Sequence, residues 1–295
     1  MPIYTKKVIA ALSLALLMPL TAATGEEICA TDDTGQEVCL DEPAQRIVAL
    51  SPGVTELLYA AGAGANVVAA VSHADYPEQA QDLPRVGSYN RLDVESILAK
   101  QPDLAIGWHS GNSPGQLDRL EELGVKVYRS EQRDLEDIPS TLERFGKLAG
   151  SSDEAQAEAD EFRVRRDELE QRYAEGENVE VFYQVWDDPI TTINDEQIIS
   201  EVIRLCGGSN VFGHLERLTP RLDTESVLAA DPQAIVVGGM GEANQAWLDK
   251  WREYERMTAV QQQNLFFVPP SKIQRPTPRL LEGAAKLCEQ LEKAR

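Results

Sequence analysis

Short apolar runs rich in branched side chains recur along the chain. Each is followed by a polar break and then a stretch whose apolar positions repeat at helical spacing. RIVAL (46–50), NVVAAVS (66–72), DLAIGWH (103–109) and VKVYRS (125–130) read as buried strands. Residues 55–62, 93–100 and 113–123 read as helices, the first ending near Gly62 and the last capped by Gly124. The second half restarts the pattern. Its strands are VEVFYQVW (179–186), QAIVVGG (233–239) and NLFFVPP (264–270), and its helices cover 196–205, 224–230, 247–252 and 279–293. Between the halves lie a helix at 135–148 and a longer one, SSDEAQAEADEFRVRRDELEQRYA (151–174), which opens on serine and acids and holds neither Gly nor Pro. At 1.5 Å per residue that helix would span roughly 35 Å, enough to bridge two lobes.

Strands alternating with short helices predict parallel sheets. The expected fold is therefore α/β: two Rossmann-like lobes joined by one long helix, with a ligand cleft between them. The expected divisions are a signal peptide at 1–23, a hairpin segment at 24–45, an N-terminal lobe at 46–150, the connecting helix at 151–176 and a C-terminal lobe at 177–295. One internal repeat supports two similar halves. LDVESILAKQPDLAI (92–106) returns as LDTESVLAADPQAIV (222–236), with seven of fifteen positions identical. Each copy reads as a short helix, a turn and a buried strand at the same place in its half.

Charge narrows the partners. The chain carries 28 basic and 49 acidic residues, a net charge of −21. That argues strongly against a nucleic-acid partner, which requires a basic face, and against an anionic membrane surface. The N-terminus pairs Lys6 and Lys7 with an apolar run at 8–20 and small residues before Ala23, the pattern of a cleaved secretory signal. Cys29 follows Glu-Glu-Ile, which is not a lipobox, so a soluble periplasmic protein is expected. Four cysteines suit an oxidising compartment. Three pairings are formally open; Cys29–Cys39, flanking a turn at Asp33-Thr34-Gly35, and Cys206–Cys288 are favoured. No spacing suggests a metal site.

Aromatic, proline and polar residues follow the expected strands: Ser51-Pro52, His73 to Tyr76, Trp108-His109, Tyr183 to Trp186, and the segment ending at Arg275. Ligands favour the carboxyl ends of parallel strands and lobe interfaces, and this set suits a large, flat, partly apolar ligand.

RIVALSPGVTELLYAAGA, VSHADYPEQAQDLPRVGSY, LDVESILAKQPDLAIGWHSGN, CGGSNVF and LDTESVLAADPQAIVV together resemble the helical-backbone class (class III) of ABC-transporter substrate-binding proteins, from about residue 46 to the end. The SPxxTE and DYPxxA pieces and the Trp-x-x-Gly-Asn turn resemble its cobalamin branch. The resemblance implies capture of cobalamin, or a related corrinoid, as a transported ligand rather than a cofactor, and delivery to an ABC permease dimer. It implies one docking glutamate per lobe, falling on Glu95 and Glu225. It places corrin-contacting positions on Pro52, His73, Tyr89 and Trp108. Family aromatics of the second lobe fall on Thr219 and Ile273, for which Tyr183 and Trp186 are expected to compensate, with Arg275 beside them. His73 is expected to hydrogen-bond the ligand rim, with metal ligation through its imidazole as the alternative. A monomer is expected. Within the class, a siderophore or haem receptor is the competing reading, with Arg85, Arg91, Arg221 and Arg275 as candidate anion partners. An exported hydrolase using Asp75, Asp187 and Asp188 is the remote one. No G-x-S-x-G, H-E-x-x-H or P-loop motif is present, so no enzyme is expected.

Overall fold

The structure, a computed structural model, describes residues 1–2, 27–173, 175–239 and 244–295. The expected signal peptide, from residue 3 to its cleavage point, lies outside the described residues. Among those described, no helix is long and apolar enough to cross a membrane.

The chain opens with an antiparallel hairpin, β1 (Ile28–Thr31) and β2 (Glu37–Leu40), in which Cys29 stands opposite Cys39 and is joined to it by a disulfide. Then follow β3 (Ile47–Ala49), α1 (Pro52–Ala60), β4 (Val67–Ala70), a small ribbon of β5 (Gly87–Ser88) and β6 (Arg91–Leu92), α2 (Val94–Ala99), β7 (Leu104–Trp108), α3 (Pro114–Glu122), β8 (Val127–Ser130) and α4 (Asp137–Ala149). The sheet is parallel, in the order β4-β3-β7-β8. β3 is buried at every position, as expected of a strand covered on both faces. The hairpin covers the outer edge at β8: the Asp33 amide donates to the Arg129 carbonyl and the Tyr128 hydroxyl to that of Thr31.

Helix α5 (Ser152–Tyr173) links the lobes. Gly150, at φ +76°, takes the left-handed conformation that ends α4. Ala155, Ala159 and Phe162 form its buried stripe, at the i, i+4, i+7 spacing of one helix face. Gly146 on α4 lets the two helices close up, because a Cβ there would stand 2.3 Å from that of Ala155. Arg163 then pairs with Glu136 and Glu143, and Arg166 with Glu136, each at 2.6 Å.

The second lobe contains β9 (Val179–Gln184), a ribbon of β10 (Trp186–Asp187) and β11 (Ile190–Thr191), α6 (Ile198–Leu205), β12 (Gly208–Asn210), α7 (Thr224–Ala230), β13 (Ala234–Val237), α8 (Trp247–Arg252), α9 (Thr258–Gln261), β14 (Leu265–Phe267), α10 (Pro270–Ile273) and α11 (Leu280–Lys293). Its parallel sheet runs β12-β9-β13-β14. Counted by appearance within each lobe, both sheets run second-first-third-fourth. The repeated LDxES segment begins α2 in one lobe and α7 in the other, and both helices lead into the third strand of their sheet. A second disulfide joins Cys206, after α6, to Cys288 on α11.

One apolar cluster runs through both lobes, including Leu58 of α1, Leu142 of α4, Phe162 of α5, Val202 of α6 and Leu287 of α11. Two smaller clusters cover the outer faces of the two sheets. The lobes thus share a core on the side of the connecting helix.

Candidate functional site

Three strands of the first sheet end at one cavity. β3 delivers Ser51, Pro52, Gly53 and Val54, β7 delivers Trp108, and β8 delivers Ser130 and Gln132. Tyr89, from the turn between β5 and β6, stands 5.7 Å from the Trp108 ring. From the other lobe, Gln274, Arg275 and Pro276 complete a space of about 170 Å³. It is the carboxyl-end position typical of ligand sites in parallel sheets. Ser51 starts α1 by accepting the Val54 amide at 3.1 Å, with Pro52 in the first turn, so the entry to the cavity is conformationally fixed. A separate groove of about 510 Å³ is lined by residues that include Glu56, Tyr59, Tyr76, Glu158, Arg165 and Arg279. The smaller space has the aromatic wall and the convergent amides, which is the chemistry of a small-molecule site.

Asn112 sets that wall. It is 3% exposed. Its Nδ2 donates to the carbonyls of Leu50 (2.9 Å) and Tyr89 (2.6 Å), and its Oδ1 accepts the Trp108 amide (2.6 Å). One side chain therefore ties the ends of β3 and β7 to the Tyr89 turn. Gly111 beside it is obligatory, since a Cβ there would stand 1.9 Å from the Trp108 ring. Opposite, Gln274 donates to the Gly238 carbonyl at 2.5 Å and to the Tyr183 hydroxyl at 3.3 Å.

The lobes meet at a buried ion cluster. Glu56 on α1, its side chain 2% exposed, accepts Arg275 Nη1 at 2.6 Å, Thr277 Oγ1 at 3.1 Å and Arg279 Nη1 at 3.4 Å. Arg275 also reaches Asp75 Oδ1 at 2.7 Å and the His73 carbonyl at 3.1 Å, and Arg279 lies 3.9 Å over the Tyr76 ring. Burial pushes the Glu56 carboxyl above its ordinary range despite both arginines and Thr277. Burial works in the same direction on Asp75, but the Arg275 hydrogen bond and charge, with that of Arg279, outweigh it and hold Asp75 below the usual range.

The structure brings Pro52, Tyr89, Trp108 and Arg275 to the cavity. His73 stands at the lobe interface with an exposed side chain and φ +65°. Tyr183 lies elsewhere, and the cleft expectation for it is corrected. Along β9, Val181 and Tyr183 face the shared core while Phe182 faces the outer cluster, by the alternation of a strand. Tyr183 is fully buried, with its hydroxyl donating to Gly238 at 3.1 Å. Trp186 sits beyond the strand on the β10–β11 ribbon, 44% exposed, against Trp247 at 6.0 Å. It is outside the cavity lining. Ile273 is core and Thr219 exposed.

Asp93 and Asp223 cap α2 and α7, each accepting the amide three residues on, at 3.0 and 2.8 Å. Glu95 and Glu225 follow in the first turns, both exposed. Of the carboxylates considered for hydrolysis, Asp75 is tied to Arg275 and Asp187 to Lys250. Gln132 and Gln274 were not singled out in the sequence, and Glu56 and Asn112 entered only as the last residues of the SPxxTE and Trp-x-x-Gly-Asn motifs, without a role. Their signal was a polar residue inside an apolar or turn motif, as Glu56 in VTELLYAA and Asn112 in WHSGN.

A family model described as periplasmic binding protein matches residues 47–271. The chain is 36% identical over 251 residues to a vitamin B12-binding protein of Vibrio cholerae, covering 85% of this chain and 90% of that one. A vitamin B12-binding protein of Yersinia pestis is 34% identical over 254 residues, with 85% and 87% covered. The crystal structure of the periplasmic vitamin B12 binding protein BtuF of Vibrio cholerae superimposes with a TM-score of 0.80 at 36% identity, covering 85% of this chain and 98% of that one. A periplasmic heme-binding protein from Roseiflexus shares the fold at a TM-score of 0.74 and 22% identity, covering 85% of this chain and all of that one.

Proposed function

The chain belongs to the periplasmic binding protein family, and from that premise we propose that it captures cobalamin, or a related corrinoid, between its lobes and delivers it to an ABC importer. The observation that carries this reading is the cavity wall. Pro52, Tyr89, Trp108 and Pro276 offer flat apolar surface, and Ser130, Gln132 and Gln274 offer neutral hydrogen-bonding groups. A corrin ring edged with amides matches both. The 170 Å³ of this cavity is below the roughly 300–1,000 Å³ of common small-molecule sites. Such a ligand inserts one edge and leaves most of itself in the open cleft, where the exposed His73 meets its rim. The chain is exported with cleavage after Ala23 and acts as a monomer.

Delivery uses the repeated segment. Two similar lobes present Glu95 and Glu225 at equivalent helix starts, a pseudo-symmetric pair for a two-fold permease whose arginines would receive them. Two variants separate capture from delivery. Trp108→Ala removes half the aromatic pair and is expected to weaken cobalamin binding by at least about tenfold. Glu95→Ala with Glu225→Ala is expected to bind cobalamin normally and to lose vitamin-dependent transport in a reconstituted importer. Normal transport by the double variant would overturn the docking role, and unchanged affinity in Trp108→Ala the site.

A further inference from the structure

We propose that Glu56 and Asp75 are specificity determinants: by holding Arg275 they leave the cavity without a free positive charge, and so turn anionic metal chelates away in favour of a neutral ligand. The proposal deepens the corrinoid reading and rests on the same cavity. Among the described residues lining it, Arg275 alone carries a charge. Its Nη1 is spent on two carboxylates, at 2.6 Å to Glu56 and 2.7 Å to Asp75, and its Nη2 on the His73 carbonyl at 3.1 Å. Arg279 adds a second positive charge on the far side of Glu56, so two arginines face two carboxylates and the cluster is neutral as a whole.

The other arginines considered as anion partners give no relief, and Arg133, next to Gln132, is paired with Glu131 at 3.1 Å. Arg85 donates to the backbone carbonyls of Val71, Ala74, Ala80 and Gln81. Arg91 and Arg221 are exposed and outside the lining. A carboxylate or catecholate brought into this cavity would lose its water without gaining a free cation, which is costly. A ligand amide would donate to the side-chain oxygens of Gln132 and Gln274, whose own N–H groups are engaged by Ser130, Thr141, Tyr183 and Gly238, and so keep hydrogen bonds. The two carboxylates differ in access. Glu56 is 2% exposed and also binds the lobes together, while Asp75 is 61% exposed and touches the cluster only through Arg275 among the ion pairs. Asp75 is therefore the removable half of the lock.

The test uses the mature chain, the variants Asp75→Asn and Glu56→Gln, and the double variant Asp75→Asn with Arg275→Gln. Each is titrated with cyanocobalamin and with haem, whose two propionates make it the anionic probe, at low and at high salt. In Asp75→Asn the ratio of haem to cobalamin affinity is expected to rise about tenfold at low salt. That gain is expected to shrink at high salt and to vanish in the double variant. An unchanged ratio in both single variants, each with wild-type far-ultraviolet dichroism, would overturn the proposal. If wild type binds no cobalamin while Asp75→Asn gains haem, the corrinoid reading fails and the charge lock stands. If wild type binds cobalamin and neither single variant gains haem, the lock fails and the corrinoid reading stands.

Discussion

Asn112 shows how much of the cavity depends on one side chain. Its amide satisfies two buried carbonyls and its oxygen one backbone amide, from three separate segments. Asn112→Ala leaves those groups unpaired at a cost of about 1–3 kcal/mol each before relaxation. Urea unfolding is expected to show a loss of about 2–3 kcal/mol, and cobalamin affinity is expected to fall as the Tyr89–Trp108 pair loosens. Asn112→Asp keeps the acceptor for Trp108 but turns a carboxylate oxygen onto the Leu50 and Tyr89 carbonyls in a buried site, so it is expected to be at least as destabilising as alanine. Equal stability of Asn112→Ala and wild type would remove the positioning role. At this scale, Pro52 and Trp108 were legible because one follows β3 and the other ends β7, at the carboxyl ends where parallel sheets expose side chains to ligands. Tyr183 was not. It falls before the end of β9, so strand alternation turns it into the core. Glu56 was hidden for the opposite reason: a charged residue in an apolar helix reads as surface until its arginine partners arrive from a segment more than two hundred residues away.

The elements were read more easily than the contacts between them. Apolar runs bounded by Gly and Pro marked β3, β7, β9 and β13, since strands covered on both faces need continuous apolar sequence. The LDxES repeat marked α2 and α7 because Asp, Glu and Ser make a local start signal that needs no tertiary partner. The ribbons β5–β6 and β10–β11 carry no such signal and emerged only with the structure. Helix α1 leads to a pH prediction. Its Glu56, facing Arg275, Arg279 and, through Arg275, Asp75, has a carboxyl raised by burial. A folded-state value above the unfolded one, about 4.3, means the folded protein takes up this proton first. The Glu56 contribution to stability therefore improves as pH falls from above its folded value towards about 4.3. Asp75 has the opposite sign: its contribution is present above about 3.9 and is lost as pH falls through its lowered folded value. Urea unfolding of wild type and Glu56→Gln at neutral pH and near pH 4.5 is expected to move the difference towards wild type on acidification. A move towards the variant would contradict the sign.

At the scale of the molecule, the two lobes share one apolar cluster and a helix that is ion-paired to the first lobe along its outer face. The buried Glu56 cluster closes the same interface nearer the cavity. These contacts oppose a wide hinge motion of the kind that flexible strand linkers allow, and they favour a preformed cleft whose shape and neutrality select the ligand. The halves were legible in the sequence through their repeated grammar. The interface between them was not, because its residues come from distant positions with no shared pattern. The central claim, a neutral corrinoid held in this cleft, is tested most directly by calorimetric titration of the mature chain with cyanocobalamin, with haem titrated beside it. Saturation by one cobalamin per chain, with haem bound more weakly, is the predicted result. Haem bound more tightly than cobalamin, or no cobalamin bound at all, would contradict it.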